Sequence, residues 1–397
     1  MTATRTRRIL SIQNVADGGG SEWALIRMIR QLRAEGWECH VAVGGPPRLA
    51  GEYAAVGAVV HIVPMQRITT SGGFWRWPRY LAAWPVSVFR LVRLARRLDV
   101  GVVHTNTLHS WYGWAAAAAL RHPHVWHARE IVVQSPLALR VERFLTRHFA
   151  DKVVAISQAV AGQFDTERVT VVYDEPDPTE FRPERAGRFR SRVGIPDAAA
   201  LVGSVGRIDT WKGVDILLDA VPVIRTVRPD VEVLVAGAPV EGKEAYAQEL
   251  AVQADRLGVR WLGARRDVAE LMADLDVYVM ASTEPEPFGL GLVEALASGT
   301  PAVATDAGGP IEILAPLPDT AGRLVPMGDA WELAEAVVAL LPSSSDAETR
   351  AARHPLRLAE PARFGELFAS VVEDRAGRRG RRRAPPSGVP GRDGSPR

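Results

Sequence analysis

The chain has 397 residues, of which 47% are hydrophobic and 24% are charged. This length is sufficient for two to three domains with buried cores. The single cysteine, Cys39, excludes a disulfide framework and a cysteine-based zinc site, and it is typical of a reducing compartment such as the cytosol. No run of about 18 or more apolar residues occurs, and the first 15 residues are too polar for a signal-peptide core, so we expect no membrane-spanning helix and no export.

Charge is distributed unevenly along the chain. The formal net charge is +2, but residues 375–397 hold eight Arg and one Asp, which leaves residues 1–374 at −5 (+2 less +7). A mildly acidic body does not predict a nucleic-acid partner. The one-sign charge and the low hydrophobicity of residues 375–397 predict a disordered basic tail.

Apolar segments alternate with amphipathic segments through the first half of the chain, which predicts a parallel sheet covered by helices. The predicted strands are 8–15, 38–43, 58–63, 100–105, 124–128 and 152–157, and the predicted helices are 22–35, 86–97, 113–120 and 136–149. A Pro-rich segment, 174–184, then interrupts the alternation and predicts a linker.

A second alternating series follows the linker. Its predicted strands are 201–207, 231–237, 259–263, 277–282 and 301–305, and its predicted helices are 213–226, 244–257, 267–273, 289–298 and 330–341, before a last helix at 355–374. The fold class expected from this pattern is α/β, with two doubly wound Rossmann-like domains, 1–173 and 185–350, facing each other across a cleft. Ligands of such sheets bind beyond the carboxyl ends of the strands, so the site is expected there.

A glycine-rich turn, residues 16–22, joins the first strand to the first helix. Gly18, Gly19 and Gly20 allow backbone amides to approach a ligand at the helix N-terminus, which favours a phosphate site. The dinucleotide-binding fingerprint is incomplete here because its third glycine is missing. A plain tight turn is the alternative.

Two cations lie at the first strand end of the second half. Arg207 and Lys212 flank a strand-to-helix turn, and Lys212 is one of only three lysines among 48 basic residues. Lysine as a point charge and arginine as a fork suit a pyrophosphate. The alternative is a pair of solvated surface cations.

Residues 283–312 hold the most informative pattern, in which prolines and glycines surround two carboxylates. Glu286 is predicted in the loop after a strand and Glu294 near the start of the next helix, where each can accept hydrogen bonds from sugar hydroxyls. Isolated glutamates would be surface charges, but the neighbouring glycines and prolines favour a site.

Polar residues also follow two strands of the first half. His104, Asn106 and His109 lie at the end of one strand, and His127 and Arg129 lie at the end of the next. A metal site of His122, His124 and His127 is rejected because the last two point to opposite faces of a strand. Asp274 and Asp276 precede their strand, so we interpret them as residues that end a helix.

Residues 74–97 interleave aromatic side chains with arginines, notably at Trp75, Arg76 and Trp77. This mixture is typical of surfaces that bind anionic membranes. The alternative is an ordinary helix that covers the first sheet with its Val and Leu side.

Taken together, these motifs resemble the retaining glycosyltransferases of family 4, which have the GT-B fold. The resemblance covers nearly all of residues 8–345 and is strongest at E-P-F-G-x-x-x-x-E, here Glu286 to Glu294, followed by A-S-G-T-P-A-V-A-T-D-A-G-G-P-x-E. GR-x(4)-KG at 206–213, GGG-S-E, VVHTN and KVVAISQAV occur in the expected order. One departure is DEPDPTEF, 174–181, where the family often has N-G-[VI]-D-x-x-x-F.

The resemblance implies an acceptor-binding first domain, a donor-binding second domain and a C-terminal segment, 351–374, that crosses back to the first domain. It implies His127, Arg207, Lys212 and Glu286 as catalytic residues, Asn106, His109 and Arg129 on the acceptor side, and a donor site formed by Gly19, Gly20, Arg207, Lys212, Glu286, Phe288, Gly289, Leu290 and Glu294.

The implied reaction moves a hexose-type sugar from a nucleotide sugar to a hydroxyl of a sugar, lipid-linked or small-molecule acceptor, with retention and with neither metal nor other cofactor. The expected setting is cell-envelope glycolipid, polysaccharide or natural-product biosynthesis, in the cytoplasm or peripherally on an anionic membrane surface. The alternatives are a nucleotide-sugar epimerase or hydrolase of the same fold and a non-catalytic carbohydrate-binding module.

Overall fold

The computed structural model describes residues 7–383, apart from 17, 67–76, 134, 343–345 and 357–362. Two parallel sheets of seven and six strands are each flanked by helices, which confirms the predicted pair of doubly wound domains. The strands are apolar along most of their length because helices bury both faces of a parallel sheet.

The first sheet has the strand order β3-β2-β1-β4-β5-β6-β7. Its strands are β1 (Arg8–Gln13), β2 (Glu38–Val43), β3 (Val59–Ile62), β4 (Val102–Thr105), β5 (His124–Ala128), β6 (Lys152–Ala155) and β7 (Val169–Val171). Its helices are α1 (Gly20–Ala34), α2 (Ala50–Ala55), α3 (Trp77–Arg97), α4 (Tyr112–Leu120), α5 (Pro136–Phe149) and α6 (Gln158–Ala161).

The second sheet has the strand order β10-β9-β8-β11-β12-β13. Its strands are β8 (Leu201–Val205), β9 (Glu232–Ala236), β10 (Arg260–Trp261), β11 (Val277–Met280), β12 (Ala302–Thr305) and β13 (Gly322–Val325). The helices that follow the linker are α7 (Arg188–Val193), α8 (Val214–Val227), α9 (Glu244–Arg256), α10 (Val268–Asp274), α11 (Leu290–Ala297), α12 (Gly309–Leu314), α13 (Ala330–Leu340), α14 (Ala347–Ala351) and α15 (Phe364–Arg383), with 3-10 turns at Pro183–Arg185 and Thr210–Lys212.

The sequence pattern missed several short elements, among them the edge strands β7 and β13 and the helices α2 and α12. Each is six residues or shorter, too short for a periodic signal. Helix α3 begins at Trp77, not near residue 86, and continues through Pro85. None of the described helices is long and apolar enough to cross a membrane.

The last helix, α15, differs most from its prediction. It begins at Phe364 rather than 355 and runs to Arg383, so part of the expected disordered tail is helical, while residues 384–397 lie outside the described chain. Phe364, Phe368 and Val371 of α15 are buried against α1 and the first sheet. The C-terminal helix therefore packs on the first domain although it follows the second.

A buried ionic cluster ties α7 and the segment after α14 to the second sheet. Asp274 ends α10 and accepts the backbone N–H groups of Phe189 and Arg190, at 2.8 and 2.9 Å. Asp276 binds the guanidinium groups of Arg190 and Arg353, at 2.8 and 2.7 Å. These aspartates lie at the amino ends of the strands, as the sequence indicated. Their oxygens bind backbone N–H groups and guanidinium groups that hold the domain together.

Candidate active site

The second domain presents a buried cation–carboxylate pair at the carboxyl ends of its strands. Lys212 Nζ lies 2.6 Å from Glu286 Oε2, and Ser282 Oγ donates to the same oxygen at 3.0 Å. Lys212 Nζ also lies 4.0 Å from the centroid of the Trp211 ring. The sequence thus placed Lys212 and Glu286 at one rim correctly, from motifs 74 residues apart.

Glycines allow the loops that carry this pair to meet. A Cβ on Gly213, directly after Lys212, would lie 1.7 Å from the carbonyl oxygen of Ala281 at the end of β11. Gly308 has φ +79°, and a Cβ there would lie 2.1 Å from the carbonyl oxygen of Glu286. The Gly309 N–H donates to that carbonyl at 2.8 Å, so the glycine pair after β12 fixes the loop that holds Glu286.

The glycine turn of the first domain is held by Glu22, which the sequence reading did not single out. Glu22 is fully buried, and its carboxylate accepts the Gly18 N–H at 2.6 Å and the Tyr53 hydroxyl at 3.2 Å. Gly19 is the N-cap of α1 and Gly20 its first residue. The only signal for this role was the glutamate three residues after the cap, in the first turn of the helix.

The two domains meet across the cleft at this turn. Arg27 Nη2 of α1 lies 2.6 Å from Glu294 Oε1 of α11, and both side chains are about nine-tenths buried. A Cβ on Gly20 would lie 3.8 Å from Leu290. The predicted donor residues Gly20, Leu290 and Glu294 therefore come together, and Arg27 joins them from a position that the motifs did not predict.

Burial raises the pKa of Glu294, and the guanidinium of Arg27 opposes that rise. The carboxylate of Glu294 therefore has a cross-domain counter-ion, in contrast to Glu286, whose cation comes from its own domain.

A second cross-domain contact lies beside the cleft. Glu312 of α12 accepts the N–H groups of Gln158 and Ala159 and the hydroxyl of Tyr173, at 2.9, 3.2 and 2.9 Å. Burial and the bond to Glu312 raise the pKa of Tyr173 to about 12, so its hydroxyl remains a donor. The Tyr173 ring stacks on Phe288 with centroids 5.7 Å apart, which makes Phe288 a buried packing residue of the interface in this arrangement.

The acceptor-side residues separate into two groups. Asn106 Oδ1 accepts from Arg129 Nε at 3.0 Å, Asn106 Nδ2 donates to Gln13 at 2.8 Å, and Arg129 forms an ion pair with Asp174. His109 instead pairs with Glu142 of α5 at 2.8 Å. Asn106 and Arg129 thus belong to one buried network that includes the first linker residue, Asp174, whereas the His109 ring bonds to α5.

His127 is closed off from solvent, at 1% exposure. Its ring lies 5.6 Å from that of His104 and 6.0 Å from that of Phe364 of α15, and neither ring nitrogen has a hydrogen-bond partner among the described residues. Burial, with Arg129 nearby, holds the pKa of His127 well below its usual range. The low pKa favours the neutral form of His127.

The remaining predicted residues are more exposed or serve structure. Arg207 is exposed and forms no ion pair with any residue that the structure describes. Gly289 is the N-cap of α11, with φ +103°.

His124 bonds to Thr105 and to the Phe149 carbonyl, on the opposite side of β5 from His127. Within the described ranges, no cluster of three or more metal-ligating side chains occurs.

Two family profiles match consecutive parts of the chain. Residues 18–184 match the profile described as Glycosyltransferase Family 4, and residues 199–343 match that described as Glycosyl transferases group 1. The chain belongs to glycosyltransferase family 4. Each profile covers one domain, in the order expected for the GT-B fold.

Relatives that match over more than two thirds of their own length agree with this family. The transferase is 28% identical over 376 residues to the D-inositol 3-phosphate glycosyltransferase of Mycobacterium marinum, covering 85% of this chain and 77% of that protein. It is 28% identical over 244 residues to the lipopolysaccharide core biosynthesis mannosyltransferase LpsB of Rhizobium meliloti. That match covers 55% of this chain and 69% of that protein. The crystal structure of Anabaena HepE in complex with UDP and glucose is similar with a TM-score of 0.73 and 26% identity, over 94% of this chain and 99% of that one.

The glycine after β12 provides a test of how the Glu286 loop is fixed. In Gly308→Ala the new Cβ would overlap the Glu286 carbonyl. We expect this overlap to lower the free energy of unfolding by about 1–3 kcal/mol, in addition to the loss from backbone strain at a positive φ. Gly328→Ala is the matched control, since Gly328 has φ +77° and no neighbour within 4 Å. Urea unfolding measures both, and equal losses in the two variants would contradict this account.

Proposed function

We propose that the transferase moves a hexose-type sugar from a nucleoside-diphosphate sugar to an acceptor hydroxyl, with retention of anomeric configuration and without a metal. The observation that carries this proposal is the pairing of Lys212 with Glu286, and of Arg27 with Glu294, around one cleft that the glycine turn of α1 also faces. HepE has been crystallised with UDP and with UDP-glucose, which supports a nucleotide sugar as donor.

The chemistry requires stabilisation of charge on both products of bond breakage. Departure of the nucleoside diphosphate gives the sugar oxocarbenium character and adds negative charge to the phosphate. Lys212 is mostly buried and Arg207 is exposed at the rim, so each can contribute a cation to the diphosphate. The amide groups at the starts of α1 and α11 add partial positive charge.

The proposal assigns different roles to the two glutamates. Glu286 would contact the donor sugar, and the diphosphate would then share Lys212 with it, because Lys212 Nζ already touches the Glu286 carboxylate. Glu294 would bind the ribose. His127 would lie near the sugar once the donor is bound, as a neutral ring that can donate one hydrogen bond.

The first domain would receive the acceptor beside Asn106 and Arg129. Closure of the cleft would exclude water and so limit donor hydrolysis. An epimerase or hydrolase would convert the donor without an acceptor, so product analysis with donor alone separates those alternatives from transfer. The single cysteine favours a cytoplasmic setting for this reaction.

The cation at the cleft supplies the first test. We expect Lys212→Ala to lower turnover about 10²–10³-fold, the loss typical of removing one preorganised group that stabilises transition-state charge. The steady-state rate of sugar transfer from UDP-glucose is measured in excess EDTA. This measurement tests both the role of the Lys212 cation and the independence of the reaction from metal.

The control for this variant is Lys152→Ala, because Lys152 begins β6 at the amino end of the first sheet. Wild-type and Lys152→Ala rates should agree. Unchanged turnover in Lys212→Ala would contradict the role of the cation, and activity that needs added magnesium or manganese would contradict the metal-free mechanism.

We also propose that one face of the first domain binds an anionic membrane surface. Trp75 and Arg76 lie outside the described residues, and the Trp77 side chain is not described, so the proposal depends on the rest of α3. Leu81, Val86 and Phe89 are 62%, 50% and 66% exposed there. Residues 53–98 hold seven Arg and neither Asp nor Glu.

Helix α5 continues this face. Helix α4 packs between α3 and α5, and α5 exposes Leu137 and Phe144 beside arginines. A groove of about 510 Å³ along α3 is lined by Trp84, Phe89 and Arg93, among others. Exposed apolar side chains beside arginines suit lipid headgroups and the acyl boundary beneath them.

Vesicle co-sedimentation tests this face. We expect the wild type to bind phosphatidylglycerol vesicles but not phosphatidylcholine vesicles, more weakly as salt increases, and we expect Leu81→Ser/Phe89→Ser to lose binding. Trp331→Ser is the control, since Trp331 is 60% exposed on α13 of the second domain. Binding that disappears only when the basic tail, residues 375–397, is removed would assign the lipid contact to the tail.

A further inference from the structure

Arg27 lies where no motif of the chain marks a ligand-binding residue. It occupies the second turn of α1, and its guanidinium crosses the cleft to Glu294 Oε1 at 2.6 Å. The guanidinium also lies 5.4 Å from the ring of Phe181, at the end of the linker. Arg27 therefore touches both the second domain and the linker from a helix of the first domain.

The Arg27–Glu294 pair is poorly explained as a device for stability. Both side chains are about nine-tenths buried, and the Nη1 atom of Arg27 has no hydrogen-bond partner among the described residues. A buried ion pair that leaves hydrogen-bonding groups unsatisfied gains little over an apolar contact of the same size. The geometry leaves Nη1 of Arg27 without a partner among the described residues and engages only one oxygen of Glu294, Oε1, with Arg27.

The surroundings of Glu294 make its ionisation depend on Arg27. Burial raises the pKa of the Glu294 carboxyl, and Glu180 of the linker raises it further, while Arg27 lowers it. Tyr278 of β11 also interacts with Glu294, and burial and the charges of Glu286 and Glu294 raise the pKa of Tyr278. An ionised carboxylate accepts hydrogen bonds at both oxygens, whereas a protonated one uses one oxygen as a donor.

We propose that Arg27 is a positioning residue of the donor site, which holds one oxygen of Glu294 so that the other is presented, ionised and oriented, to the ribose hydroxyls of the nucleotide. This inference rests on the proposed function, because it takes the ribose to bind at Glu294. It adds that the first domain takes part in ribose recognition. Opening of the cleft would remove the counter-ion of Glu294, so ribose binding and closure favour each other.

Nucleotide binding separates this role from a purely structural one. The experiment measures by calorimetry the Kd values of UDP, 2′-deoxy-UDP and 3′-deoxy-UDP for the wild type, Arg27→Ala, Arg27→Lys and Arg30→Ala. Arg30 is the matched control because it lies three residues further along α1 and pairs with Asp177 of the linker. Circular dichroism melts confirm that each variant is folded.

We expect the wild type to bind UDP about tenfold or more tighter than at least one deoxy form, as for a hydrogen bond to a charged group. In Arg27→Ala the Kd of UDP should rise until that preference is nearly lost, while the Kd of the deoxy form changes little. Arg27→Lys should restore part of the preference because it keeps the charge, and Arg30→Ala should keep all of it.

Three results would overturn the inference. Arg27→Ala could weaken all three nucleotides by the same factor, Arg30→Ala could lose the preference equally, or the wild type could bind UDP without any preference for its hydroxyls. Failure of the wild type to bind UDP, GDP or ADP at all is a different result, because it would contradict the proposed function itself.

Discussion

Two buried carboxylates eight residues apart, Glu286 and Glu294, set the constraint on which the cleft depends. A carboxylate that leaves water needs a cation and further hydrogen bonds, or it becomes protonated. Glu286 obtains Lys212 and Ser282 from its own domain, and Glu294 obtains Arg27 from the other. The first pair lies within the second domain, and the second pair joins the two domains at the candidate site.

The fold follows from the sequence because its signals are local. Alternation of apolar strands with amphipathic helices predicts two parallel sheets, and glycines at strand ends predict where backbone loops approach one another. Gly213 and Gly308 show why that inference succeeds for Lys212 and Glu286, since a side chain at either position would collide with a carbonyl of the neighbouring loop. The short edge strands β7 and β13 lacked such a signal.

The contacts between domains could not be predicted in the same way. Arg27 looks like any arginine on the polar side of a helix, and its partner lies 267 residues away. Glu312 follows a recognisable glycine pair, yet nothing in the sequence shows that it accepts backbone N–H groups of α6. The burial of His127 beneath Phe364 depends on where α15 begins, which periodicity placed nine residues too early. Each of these depends on the relative placement of elements that are distant in the chain.

The most direct test of the account is a crystal structure of the transferase with UDP-glucose. In that structure we expect Lys212 Nζ to turn from Glu286 toward the diphosphate, and the ribose to lie against one oxygen of Glu294 while Arg27 stays on the other. A nucleotide bound elsewhere, or one bound in the cleft without contact to Lys212 and Glu294, would contradict it.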